Sequence, residues 1–188
     1  MIDYMKRLGD AVALLPVGKV ESLAIDLQNA WGKNRQIFLC GNGGSAANAA
    51  HIVNDLLYGI AKNMSGPGMR AHALSANQAI ITCLANDHSY DDIFSEQLKV
   101  LAQKDDLLLV LSGSGNSPNI VRALTMAREL GVTSWAILGY SGGKALEAAD
   151  TAIHIPVDDM QISEDLQLII GHMLMQWLAA NPVGEPVK

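Results

Sequence analysis

Residues 35–55 read RQIFLCGNGGSAANAAHIVND. A short apolar run, Ile37-Phe38-Leu39-Cys40, meets the turn Gly41-Asn42-Gly43-Gly44-Ser45, and an Ala-rich segment follows. That order predicts strand, glycine turn and helix, the repeating unit of a parallel α/β sheet. The turn sets backbone N–H groups at a helix N-terminus, where their partial positive charge favours an anion. His51 and Asp55 fall four residues apart on that helix and share a face one turn further on. Such spacing commonly makes a surface ion pair. Beside an anion-binding turn it also suits an acid/base or metal role.

The rest of the chain repeats the unit. Further strands are expected at 71–74, 106–111, 132–138 and 152–157, and further helices at 76–84, 90–101, 118–130, 142–148 and about 162–180. Asp106 to Leu111 is apolar without alternation after its first residue, which suits a parallel strand buried on both faces. Five strands alternating with helices imply an α/β fold, a doubly wound five-stranded parallel sheet with right-handed crossovers. Two extra N-terminal helices precede it. Residues 3–15 place Met5, Leu8, Val12 and Leu15 on one face, and residues 19–31 do the same with Val20, Leu23, Ala24, Leu27 and Trp31. Pro16-Val17-Gly18 separates them. They cap the sheet or pack on another subunit. No linker or charge run divides the chain, so residues 1–188 are read as one domain, with helices over 1–33 and an α/β core over 34–180. Residues 59–70 have loop chemistry and are expected to be mobile, and residues 181–188 to fray.

The 188 residues are 49% hydrophobic and 17% charged, with a net charge of −6. That balance argues against sequence-independent nucleic-acid binding, which needs a basic surface. It leaves a phosphate ligand open, because turn N–H groups hold phosphate without side-chain charge. Cys40 and Cys83 show no metal or disulfide spacing and read as reduced core residues of a cytoplasmic protein. No signal pattern or spanning segment is expected.

A second turn, Ser112-Gly113-Ser114-Gly115-Asn116-Ser117-Pro118, follows the strand at 106–111. It supplies three hydroxyls, and Ser117 before Pro118 is the expected helix cap. Two such turns at one sheet edge point to phosphate binding. The first also fits the dinucleotide pattern G-x-G-x-x-A, but the second strand ends in Leu74-Ser75-Ala76-Asn77, without the acid that would hold a ribose. Gly139-Tyr140-Ser141-Gly142-Gly143 fits the hydrolase elbow G-x-S-x-G, or a plain Gly-rich connection. Glu164 and His172 lie eight residues apart on the last helix, near the limit for two side chains meeting on one metal. His172 sits in an apolar stretch and reads equally as a core histidine.

The motifs GNGGSAANAAH (41–51), AND (85–87), SGSGNSPN (112–119), GGK (142–144) and IIGH (169–172) together resemble the sugar isomerase (SIS) domain, and within it the phosphoheptose isomerases. The resemblance implies a flavodoxin-like sheet and a homotetramer with sites between subunits. It implies conversion of sedoheptulose 7-phosphate to D-glycero-D-manno-heptose 7-phosphate through a cis-enediol, and zinc or another divalent metal. It assigns phosphate to Ser112, Gly113, Ser114 and Ser117, and substrate contacts to Asn42, Gly43, Ser45, Asn86, Asp87 and Glu164. It assigns acid/base work to Asp55 and His172, and metal to His51, Asp55, Glu164 and His172. By this assignment the first turn faces the reacting end of the sugar, and the serine turn takes the phosphate. The family has Glu at position 55, Gln at 164, Arg at 59, Asp at 77 and Thr at 113. A rival of another class is the related SIS branch that binds the bacterial replication initiator, which lacks the carboxylate at 55 and the histidine at 172.

Overall fold

The computed structural model describes residues 1–62 and 66–183. Residues 63–65, within the loop read above, and 184–188 of the tail lie outside the described residues. Five parallel strands, β1 (Gln36–Cys40), β2 (Arg70–Ala73), β3 (Leu107–Ser112), β4 (Thr133–Leu138) and β5 (Thr151–His154), form one sheet in the order β2-β1-β3-β4-β5. The order reverses between β1 and β3, and the turns that follow these two strands leave the same edge.

Alternation along each strand sorts the core into two layers. Ile37, Leu39, Leu107, Leu109, Leu111, Trp135 and Ile137 face one layer. It is covered by α1 (Ile2–Ala13), α2 (Val17–Gly32), α3 (Gly44–Leu57) and α8 (Met160–Ala180). Phe38, Cys40, Leu108, Val110, Ala136 and Leu138 face the other. It is covered chiefly by α5 (Ser95–Leu101), α6 (Pro118–Leu130) and α7 (Ala145–Ala148), with α4 (Gln78–Asp87) lying against it. Both faces of β3 are buried throughout, as its unbroken apolar run required.

The five expected strands and the order of helices stand, with local differences. In α2 the expected face, Val20, Leu23, Ala24, Leu27 and Trp31, is buried. The face expected on α1 is divided: Leu8 and Leu15 pack partly buried against the core, while Met5 is 71% exposed and Val12 is exposed as well. This helix is joined to α8 through polar contacts, Tyr4 donating to Asp165 and Arg7 pairing with Asp159. That bond to a carboxylate raises the Tyr4 phenol to about 12. Residues 90–101 are not one helix. A 3-10 turn at Tyr90–Asp92 precedes α5, because Arg122 pairs with Asp91 and Asp92 and holds that segment over α6. Cys40 is buried, but Cys83 is exposed, since no residue of α4 is buried. Among the described residues no helix is long and apolar enough to cross a membrane.

Asp106 ties the start of the sheet together. It is 2% exposed, and its carboxylate accepts from the backbone N–H groups of Gln36 at 2.9 Å and Gln103 at 2.8 Å. Replacing Asp106 by Ala leaves both donors without that acceptor, so stability to urea is expected to fall by about 2–4 kcal/mol. An unfolding midpoint unchanged from the parent chain would contradict this role.

Candidate active site

The turn after β1 is built on Gly43, whose φ of +56° favours glycine. It leads straight into α3 and places Asn42 and Ser45 at the sheet edge. Asn42 is fixed by a reciprocal amide pair with Asn119, each donating its Nδ2 to the other's Oδ1 at 2.9 Å. The Tyr90 hydroxyl donates to Asn42 Oδ1 at 3.1 Å. Ser45 is fixed from α8: Gln167 Nε2 donates to Ser45 Oγ at 3.0 Å, and Asn48 Nδ2 donates to Gln167 Oε1 at 3.0 Å and to the Glu164 carbonyl at 2.9 Å.

The serine turn after β3 closes on itself. Ser112 Oγ accepts from the Gly115 N–H at 3.0 Å, and Ser114 Oγ from the Asn116 N–H at 3.3 Å. Gly115 has φ +66°, and a Cβ there would lie 1.9 Å from the Gly142 carbonyl oxygen, so only glycine fits. Ser117 takes the cap position of α6 as expected, with Pro118 behind it, yet its hydroxyl makes no capping bond. Asn42, Ser45, Ser112, Gly113, Ser114, Ser117, Met160 and Glu164 line one cleft of about 90 Å³.

The second centre lies further along α3 and α8, which pack closely: a Cβ on Gly171 would come within 2.6 Å of Ile52. His51 and His172 bring their Nε2 atoms to 3.0 Å. Asp55 Oδ2 lies 3.6 Å from His51 Nε2 and 4.0 Å from His172 Nε2. His172 is therefore not a core histidine, being about half exposed. All three ligand atoms lie within 4.8 Å of one another. Ligand atoms on a tetrahedral ion with bonds of about 2.1 Å stand roughly 3.4 Å apart, so two imidazoles and a carboxylate in this arrangement fit a divalent cation and leave a position open. Glu164 is not in this group, contrary to expectation. Eight residues on one helix separate it from His172 by about 12 Å of rise, and its carboxylate lies instead against Gly44 in the serine cleft.

Other expected residues stand apart. Asn86 and Asp87 occupy the last turn of α4, not a loop, and both are exposed and absent from the cleft lining. Hydrogen bonds from Asn86 and Cys83 hold the Asp87 carboxyl below its ordinary range. Asn77, where the family has Asp, caps α4 by accepting from the N–H groups of Ala79 and Ile80. Gly59 lies beside Asp55: a Cβ there would be 3.5 Å from Asp55 Oδ1. In the elbow-like turn Tyr140, Gly142 and Gly143 have positive φ, +42°, +80° and +52°, and Ser141 does not. His154 Nε2 engages the Tyr140 carbonyl at 2.9 Å, which does not make a nucleophile–base pair. Sequence reading missed Asn48, Tyr90, Asn119 and Gln167 as supports of the cleft. Their helix spacing was the available signal, Asn48 one turn past Ser45 and Gln167 one turn past Glu164.

The family model for the SIS domain matches residues 2–139. The chain belongs to the SIS domain family. Within it the chain falls in the phosphoheptose isomerase branch. It is 36% identical over 181 residues to a phosphoheptose isomerase of Geotalea daltonii, covering 96% of this chain and 91% of the relative. It is 34% identical over 174 residues to one of Chlorobaculum parvum, covering 92% and 83%. The structure of a phosphoheptose isomerase from Francisella tularensis superimposes with a TM-score of 0.87 at 27% identity, covering 94% of this chain and 92% of that one.

His51→Ala and His172→Ala should each weaken divalent-cation binding by about tenfold or more in equilibrium dialysis. Binding to the parent chain should weaken as the pH is lowered, because protons compete for imidazole nitrogen. Full retention of the cation by either variant would contradict the assignment.

Proposed function

We propose that this chain interconverts sedoheptulose 7-phosphate and D-glycero-D-manno-heptose 7-phosphate as an aldose–ketose isomerase. The observation that carries the reading is the meeting of His51, Asp55 and His172 on the two helices that also border the serine cleft. Ser45 and His51 are separated by about 9 Å of rise along α3, the scale of an extended sugar phosphate. The serine turn takes the phosphate with hydroxyls and backbone N–H groups, leaving the carbonyl end to the histidine–aspartate group.

In the ketose direction Asp55 removes a proton from C1 beside the C2 carbonyl. Its Oδ2 faces the two rings, and its Oδ1 receives only a long contact, 3.4 Å, from Asn54. The electron pair of the broken C–H bond forms the C1–C2 double bond, and O2 gains a proton to give the cis-enediol. His172 carries the proton between O1 and O2, and return of a proton to C2 leaves the aldehyde at C1. Zinc or another divalent ion would be held through His51 Nε2, Asp55 Oδ2 and His172 Nε2, leaving Asp55 Oδ1 and His172 Nδ1 for proton transfer, and would supply polarisation of the carbonyl.

We place the chain in a cytoplasmic homotetramer with sites between subunits. Three features support this. Ile2, Met5, Leu14 and Val17 are exposed apolar residues at the N-terminus. No residue of α4 is fully buried within its own chain. Asn86 and Asp87 are exposed and lie outside their own cleft lining, which leaves them available to a neighbouring subunit's site. The initiator-binding alternative has no use for an acid/base group between α3 and α8.

Asp55→Asn and His172→Ala should lower kcat by about 10²- to 10⁴-fold, with the aldose followed by proton NMR. Ser114→Ala should act mainly on KM. Absence of turnover by the parent chain with metal supplied would refute the isomerase reading.

A further inference from the structure

Two helix N-termini border the serine cleft, those of α3 and α6, but they are not equivalent. At α6 the Ser117 hydroxyl makes no capping bond and lines the cleft. At α3 the position is taken by a side chain from another helix. A Cβ on Gly44, the first residue of α3, would lie 2.3 Å from Glu164 Oε2 and 2.4 Å from Oε1. Gly44 thus admits the Glu164 carboxylate to the end of α3, where a negative charge is favoured. Among the described residues no cation pairs with Glu164. Its carboxylate lies beside Gly44 and lines the cleft.

The cleft is small, about 90 Å³, and Glu164 and the three serines line it together. An anion at the α3 N-terminus would have to sit where the carboxylate sits. An anion at the serine turn meets instead the Ser117 hydroxyl, which makes no capping bond, and the O–H groups of Ser112 and Ser114, which only accept within the turn. We propose that Glu164 is a specificity-determining residue: it closes the α3 N-terminus to anions, restricts the cleft to one phosphate at the serine turn, and excludes ligands carrying a diphosphate. This rests on the sugar-phosphate reading above. Glu164 would also keep pyrophosphate from a turn that has the glycine spacing of a dinucleotide site. The glycines are present, but the helix end that would hold the second phosphate already holds a carboxylate.

The test is calorimetric titration with two probes, inorganic pyrophosphate and the seven-carbon alditol 7-phosphate, the reduced substrate with no carbonyl to turn over. The parent chain should bind the alditol phosphate at least about tenfold more tightly than pyrophosphate. Glu164→Gln keeps the shape and removes the charge. It should shift the ratio of the two affinities toward pyrophosphate by about tenfold or more, the repulsion expected of like charges a few ångströms apart. Glu164→Ala should shift it at least as far, and alditol phosphate binding reports that each variant is folded. A ratio unchanged in both variants, or equal binding of the two probes by the parent chain, would overturn the proposal. Failure of the parent chain to bind the alditol phosphate at all would overturn the sugar-phosphate reading itself, a distinct result.

Discussion

The parallel pairing of β1 with β3, Ile37 to Cys40 against Leu107 to Val110, sets the geometry on which the site depends. Adjacent parallel strands leave the sheet at the same edge, so the turns after them must face one another. Asn42 and Asn119, 77 residues apart in the chain, then meet as a reciprocal amide pair. The pairing is held by the burial of β3 on both faces. Asp106 holds the opposite end of the same two strands in register.

The packing of α3 on α8 supplies the second half of the site. Gly171 lets the two helices approach closely, and Ile52 fills the space a side chain would take. Residues one or two turns along each helix then converge. Near the sheet these are Ser45, Asn48 and Gln167, and further out His51, Asp55 and His172. The inner group is buried and fully hydrogen-bonded, which holds Ser45 in one orientation. The outer group is partly exposed, as a centre that must admit a substrate requires.

Glu164 shows how position along a helix changes the meaning of a residue. From the family resemblance it is expected among the metal ligands. In the folded chain, about 12 Å of helix rise from His172 puts it at the phosphate end, against Gly44. Asn77 is similar: a departure from the family pattern that lies in a helix cap rather than in the cleft.

The amino-acid sequence by itself determined the fold class, the five strands, and the two turns that form the cleft. These follow from local patterns: apolar runs of strand length, glycine and serine where the chain must turn, and a Ser-Pro helix start. It also placed His51 and Asp55 on one face, since that needs only the helical repeat. The tertiary structure decided what depends on contacts between distant segments. It brought His172 out of an apolar stretch to within 3.0 Å of His51. It removed Glu164 from the metal group, left Met5 and Val12 of α1 exposed, and broke residues 90–101 through the pairing of Arg122 with Asp91 and Asp92. Local periodicity could not carry that information, because each outcome is set by how close two elements come and which side chains lie between them.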